Sequence, residues 1–282
     1  MVEYKYTVDN EEHTLVFNPE AKGSQPRYTI DGKRATGVTT ILGAIAKPAL
    51  IDWSAKSAYE DCGEHEYSKD DIKTIIKNKD YAHKKKSGDA MDIGTLAHAD
   101  VERYIRWKMG ETESFTINPE TEKIVQPFID WAEGRVDIKA KYFEYDKTSI
   151  EIVPKTIKFL KAEQSVFSFK FFAAGTFDFL AEIDGKKYIC DFKTSTGIYG
   201  REYFYQTAAY RSFLEELKEA NDIVGSIIVR SGKEGGVLEV KHSLSYKEDY
   251  AGFLAAYVLH HKGFVSDEVK NELINEALAI PH

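Results

Sequence analysis

Gly175-Thr-Phe-Asp-Phe-Leu-Ala-Glu-Ile-Asp-Gly-Lys-Lys-Tyr-Ile-Cys-Asp-Phe-Lys-Thr194 is the stretch that decides the fold of this chain. Two runs rich in aromatic and aliphatic residues flank Asp184-Gly185. That dipeptide is favoured in a two-residue type I′ turn, because both central positions take positive φ. A turn there fixes the register of a β-hairpin: Ile183 faces Lys186, Glu182 faces Lys187, Leu180 faces Ile189 and Asp178 faces Asp191. Lys193 lies two residues beyond Asp191 and therefore on the same face. The other face carries Phe177, Phe179, Ala181, Ile183, Tyr188, Cys190 and Phe192, and is expected to pack on the core.

Two aspartates directly opposite one another on a sheet repel, and a divalent cation is the obvious compensator. Carboxylates, a backbone carbonyl and water suit Mg²⁺ or Mn²⁺. A lysine beside them can orient or deprotonate a water, or stabilise charge developing on a phosphorane. The plainer alternative makes Asp178 and Asp191 solvated residues near a sheet end, with Lys193 as their ion-pair partner.

Outward from the hairpin, the chain divides by periodicity. Near the N-terminus, His13 to Phe17 and Arg27 to Ile30 read as strands, and Asp31-Gly32 as a second tight turn into a strand from Lys33 to Val38. From Thr39 to about Asp146 apolar residues recur at helical spacing, punctuated at Pro48, Gly63, Gly110 and Pro119, which predicts four to six helices. One opens on a capping box at Ser68–Asp71, and another begins near Asp92 or Gly94 and stops at Gly110. From Ile150 the text turns β-rich: strands at Ala162–Phe169, Thr176–Ile183 and Lys186–Thr194, a helix at Glu202–Ala220, and strands at Gly225–Arg230 and Val237–Leu244. Closing helices are expected at Tyr246–Lys262 and Asp267–Ala279. The expected organisation is a β-hairpin segment (1–38), a helical region (39–148) contributing His98, and a mixed α/β core (149–282), integrated as one domain.

The 282 residues, 43% of them hydrophobic, suffice for a substantial core. No stretch approaches the roughly 20 apolar residues of a membrane span. The N-terminus has no signal-peptide pattern, so a cytoplasmic location is expected. Cys62 and Cys190 are too few for a disulfide framework or a four-thiolate metal site. A net charge of −8 argues against a protein that coats nucleic acid, but leaves room for a local basic groove. Lys84–Lys86, Lys139 with Lys141, and Arg103 with Arg106 and Lys108 are the candidates, although each is more simply a solvated face.

Four motifs in order carry a family resemblance: Gly94-x-x-x-His98, Gly175-x-x-Asp178, Asp191-x-Lys193 and Gln206-x-x-x-Tyr210. Each is weak alone. Together they resemble the RecB-type branch of the PD-(D/E)xK nuclease superfamily, over roughly residues 36 to 245. The Val38-Thr-Thr-Ile-Leu…Lys47-Pro…Trp53 stretch also looks like the entry segment of its phage and mitochondrial-type exonucleases. The resemblance implies an α/β, restriction-endonuclease-like sheet flanked by helices. It implies Asp178 and Asp191 as metal carboxylates, the Phe192 carbonyl and His98 as further ligands, and Lys193 as the catalytic lysine.

Less central roles fall to four residues: Glu163 as a second-shell or second-metal carboxylate at the start of its strand, Glu102 one turn beyond His98, and Gln206 and Tyr210 as a phosphate contact and as a nucleic-acid contact or brace. On spacing alone His98 reads first as a hydrogen-bonded residue at the edge of an apolar helix face, a preference that Gly94 and the other motifs reverse, and Tyr210 reads equally well as core. The four cysteines that hold an iron–sulfur cluster in some relatives are missing, as is any phosphate-binding Gly-x-x-x-x-Gly-Lys motif, so no cluster and no helicase is expected.

The implied activity is Mg²⁺- or Mn²⁺-dependent hydrolysis of DNA phosphodiesters, as an exonuclease on single-stranded or frayed ends in replication, recombination or repair. An endonuclease on the same core, a non-catalytic DNA-binding module and a purely structural α/β protein are the competing readings. A phage or bacterial setting fits, DNA is the expected partner, no membrane is involved, and any partner protein is unspecified.

Overall fold

The computed structural model describes residues 1–45, 79–135, 154–233, 235, 238–261 and 275, with residues 79–92 as backbone only. The Ser68–Asp71 cap, the Trp53 segment, Lys139, Lys141 and the Asp267–Ala279 helix lie outside the described residues, and so do the side chains of Lys84–Lys86.

Among the described residues nine strands connect into one mixed sheet flanked by helices. A meander of β1 (Val2–Val8), β2 (Glu11–Phe17), β3 (Tyr28–Ile30) and β4 (Lys33–Gly37) leads into it. After the short helix α1 (Val38–Leu42) come α2 (Lys79–Lys108) and α3 (Glu122–Ala132). Then follow β5 (Ile157–Ser168), β6 (Ala173–Ile183), β7 (Lys186–Lys193), α4 (Glu202–Glu216), β8 (Ile223–Arg230), β9 (Glu239–Ser243) and α5 (Tyr246–His260). The order is β1-β2-β3-β4-β6-β7-β8-β9, with β5 paired to the other edge of β6. Only β4–β6 and β7–β8 are parallel. Among the described residues no helix is long and apolar enough to cross a membrane.

The central hairpin forms as its turn demands, with Asp184 at φ 48° and Gly185 at φ 77°. Asp184 also accepts the amides of Lys155 and Thr156 on its Oδ1, which ties the entry of β5 to the turn. The pairs Ile183↔Lys186, Glu182↔Lys187 and Leu180↔Ile189 all stand. The ladder ends at Phe179↔Cys190, however, so Asp178 and Asp191 are not a ladder pair. Beyond Cys190, β7 keeps its parallel partner β8 while leaving β6.

Both faces of the hairpin are buried, where one was expected. Phe179, Ala181, Cys190 and Phe192 pack under α2 and α3, with Phe128 edge-on to Phe179 and Phe192 at 5.7 and 5.5 Å. Such aromatic pairs add about 0.5–1.5 kcal/mol beyond the area they bury. Leu180 and Ile189 pack with α4 and α5, and Phe177 joins them rather than Phe179. Helices on both sides leave no solvated sheet face at this point.

Several boundaries also differ from the sequence reading. β1 was not anticipated, because Val2–Val8 mixes charged and aromatic residues and is mostly exposed. Helix α2 is already helical at Lys79, well before Asp92, where the polar residues carry no apolar stripe. It does stop before Gly110, whose φ is 79°. Helix α4 ends at Glu216, before Ala220, where Lys218 takes a φ of 57°.

Candidate metal centre

Where β6 and β7 part, the Asp178 carboxylate enters the gap. Its Oδ2 accepts the Phe192 backbone amide at 2.6 Å. His98 Nδ1, projecting from α2, lies 3.5 Å from the same oxygen, and its ring stands edge-on to Phe192 at 5.2 Å. Gly94 makes this approach possible: a Cβ there would sit 2.8 Å from Thr194 Oγ1, so only glycine lets α2 lie this close to the end of β7. The Gly94-x-x-x-His98 spacing is thus a helix-packing residue one turn before the histidine it delivers.

Glu163 faces Asp178 from the other side. The rungs Ala162↔Phe179 and Gln164↔Phe177 bracket these two residues, so the like-charged pair that the sequence placed across β6–β7 is in fact Asp178 and Glu163 across β5–β6. Glu163 sits mid-strand rather than at a strand start. A bulge at Leu160 shifts the β5 register, and Glu163 itself takes φ 43°, rare for a side chain of this kind. His98, Glu163 and Asp178 offer one ligand atom each, all within 4.8 Å of one another. This partly buried cluster could hold a metal ion.

Asp191 and Lys193 occupy the adjoining stretch of β7. Lys193 Nζ is 2.8 Å from Asp191 Oδ1 and 2.6 Å from Oδ2, and lies 5.6 Å over the Tyr203 ring. Oδ2 of Asp191 is buried, and its one close partner among the described residues is the Lys193 ammonium, which offsets the cost of burying the carboxylate.

Electrostatics separate the three carboxyl groups. Burial, then the charges of Asp178, Glu102 and Asp191, push Glu163 up to about 9. Burial pushes Asp191 up to about 6, with Lys193 opposing and Asp178 adding to the rise. For Asp178 burial acts upward as well, but His98, Lys193 and the Phe192 amide outweigh it and hold the group below its ordinary value. Lys193 is raised, because Asp191 and Asp178 overcome the effect of burial. In the metal-free protein Asp178 is the standing anion, Lys193 the standing cation, and Glu163 carries a proton at neutral pH.

The remaining sequence candidates fall around this centre. Glu102 is engaged by Arg106 Nε at 2.8 Å and acts on the site through its charge on Glu163. Gln206 Nε2 donates to the Tyr210 hydroxyl at 2.9 Å. Tyr210 is 2% exposed, which removes it as a nucleic-acid contact and leaves it as a brace under β6. Its ring fills the space that a Cβ on Gly175 would need. A Gly175→Ala variant is therefore expected to lose about 1–3 kcal/mol in urea unfolding; a midpoint equal to wild type would show that the ring can move aside. Arg103, Arg106 and Lys108 are paired with Asp100, with Glu102 and Glu111, and with Glu133, so this basic patch is internally neutralised.

Three contacts were missed in the sequence. Thr194 against Gly94 and Tyr203 over Lys193 were discoverable, since one follows the Asp191-x-Lys193 motif and the other lies one turn before Gln206. Tyr4, which donates to the Glu163 carbonyl from 159 residues away, left no local signal. No protein-family model matches the chain, and no curated protein matches it either.

Proposed function

We propose that this chain is a divalent-metal-dependent nuclease built on a restriction-endonuclease-like core of the PD-(D/E)xK type. The observation that carries the reading is the convergence of Asp178, Asp191, Lys193, His98 and Glu163 where β6 and β7 diverge. Nitrogen and carboxylate donors together, as in His98, Glu163 and Asp178, suit Mn²⁺ and Mg²⁺. When bound, a divalent cation there supplies Lewis acidity toward a phosphate oxygen.

The chain's own groups account for the rest. Asp178, Glu163 and His98 would hold the ion, and Asp191 would join them by turning one oxygen from its ion pair with Lys193. Lys193, kept as an ammonium by two carboxylates, donates to a non-bridging phosphate oxygen or holds the attacking water in line. The water oxygen bonds to phosphorus as the P–O ester bond breaks, and the proton that the water gives up to solvent is matched by the one that the leaving oxygen takes up. The Phe192 amide fixes Asp178 so that neither carboxylate has to reorganise.

Lys233 supplies a cation for the substrate backbone. Its Cε lies 3.8 Å from the position of a Gly94 Cβ, and it has no ion pair among the described residues, while burial lowers its pKa. Lys233→Ala is expected to raise the Kd for a single-stranded oligonucleotide and to reduce the salt-dependence slope by about one ion, with turnover at saturating substrate unchanged. An unchanged slope would remove Lys233 from the interface.

The direct test is to incubate the protein with 5′- and 3′-labelled linear and circular DNA, single- and double-stranded, in Mg²⁺, Mn²⁺ or EDTA. Metal-dependent loss of linear DNA with circles intact is expected of an exonuclease on single-stranded or frayed ends. Nicked circles would make it an endonuclease. Binding without cleavage under every metal would replace the enzyme with a binding module.

A further inference from the structure

Glu163 has an unusual backbone for a residue inside a long strand. Its φ of 43° lies in the left-handed region, just after the bulge at Leu160, and nothing in its own side chain favours that conformation. Strain of this kind persists only where the surroundings impose it. On the edge of β5 away from β6, the surroundings are side chains of the N-terminal meander. The Tyr4 hydroxyl donates to the Glu163 carbonyl at 3.0 Å, and the Tyr6 hydroxyl donates to the Ser165 carbonyl. Gln164 Nε2 in turn donates to the Tyr6 oxygen at 3.1 Å. One residue separates the tyrosines on β1 and one separates their acceptors on β5, so one face of β1 runs along this edge in matched steps. Only the first step touches a residue of the cation cluster.

We propose that Tyr4 is a positioning residue for the cation site: its hydroxyl holds the Glu163 backbone in the conformation that turns the carboxylate toward His98 and Asp178. The inference rests on the metal-site reading above. It adds that the meander, remote in sequence, sets the affinity for the ion. Tyr6 makes the same kind of bond one step along and provides an internal control.

The experiment is calorimetric titration of Mn²⁺ into the metal-free wild type, Tyr4→Phe, Tyr6→Phe, Glu163→Gln and the Tyr4→Phe/Glu163→Gln pair, alongside thermal unfolding without metal. Loss of one hydrogen bond corresponds to about fivefold in an equilibrium. Tyr4→Phe is expected to weaken Mn²⁺ by about that factor without lowering the metal-free Tm. Tyr6→Phe is expected to lower the Tm and leave Mn²⁺ affinity within about twofold, because its bond does not reach the cluster. In the Glu163→Gln background, Tyr4→Phe is expected to cost nothing further, as coupling through a single residue requires. Wild-type affinity in Tyr4→Phe, equal weakening by Tyr6→Phe, or an additive double variant would each overturn the role of Tyr4 while leaving the metal site intact. A wild type that takes up no Mn²⁺ would overturn the metal site and this inference together.

Discussion

Replacing Lys193 with alanine is expected to lower Mn²⁺-dependent cleavage of single-stranded DNA by about 10²–10³-fold, while Mn²⁺ still binds. The lysine is an ammonium held against Asp191, and in the proposed mechanism its charge would face the phosphate oxygen on which negative charge grows as water attacks. Removing it also strands a carboxylate. Asp191 stands at about 6 even with Lys193 beside it, so without the ammonium it shifts higher and takes up a proton more readily. Lys193→Met separates loss of charge from loss of packing, because it keeps an unbranched stem near the Tyr203 ring but no charge. Both variants are expected to be inactive and to show the same Mn²⁺-induced rise in Tm as wild type. Cleavage by Lys193→Met within tenfold of wild type would end the case for Lys193 as a catalytic residue.

The second large effect is on cation affinity as a function of pH. Glu163 releases its proton near 9 in the metal-free fold, against an ordinary 4.5. A cation that uses this carboxylate must displace the proton, so affinity rises roughly tenfold per pH unit from about pH 7 to 9 and then levels. The same shift bears on stability with the opposite sign. A carboxyl group raised on folding contributes stability in full below its unfolded value, and that contribution is lost as pH rises through about 9. Metal-free protein is therefore expected to unfold more easily at pH 9 than at pH 6, and Mn²⁺ to restore the difference. Glu163→Gln cannot ionise, so it is expected to flatten both curves. Titrations in buffers of different ionisation enthalpy would count the released proton directly. A Kd independent of pH over this range would mean that Glu163 is not a ligand.

The turn at Asp184-Gly185 made most of the central hairpin readable, because a two-residue loop leaves only one register and the side-chain period is two. The reading failed at the point where β7 exchanges one neighbour for another. Nothing in the local pattern of Asp191-Phe-Lys193 says that β8 retains it while β6 departs, since strand pairing is settled by packing far along the chain. Glu163 was named, but its partner was not. Its place opposite Asp178 depends on a bulge at Leu160, and one inserted residue changes which side chains meet. His98 and Gly94 were legible as a spacing, and the reason for the glycine became visible only once Thr194 was seen against it. Tyr210 read equally well as contact or core, and burial decided it. Strand β1 and the early turns of α2 were hidden for a common reason: their polar residues carry little hydrophobic period.

The distances along the chain between the groups of the centre have a consequence for biosynthesis. His98 and Asp178 are 80 residues apart, Tyr4 and Glu163 are 159 apart, and Asp191 is held by a strand that ends at Arg230. Contacts of such long range form late, after the intervening chain has been ordered. A growing polypeptide that has not yet emerged past β8 holds the carboxylates without the framework that gathers them. The cluster of His98, Glu163 and Asp178 is thereby assembled only with the finished sheet, and not on a partly emerged chain.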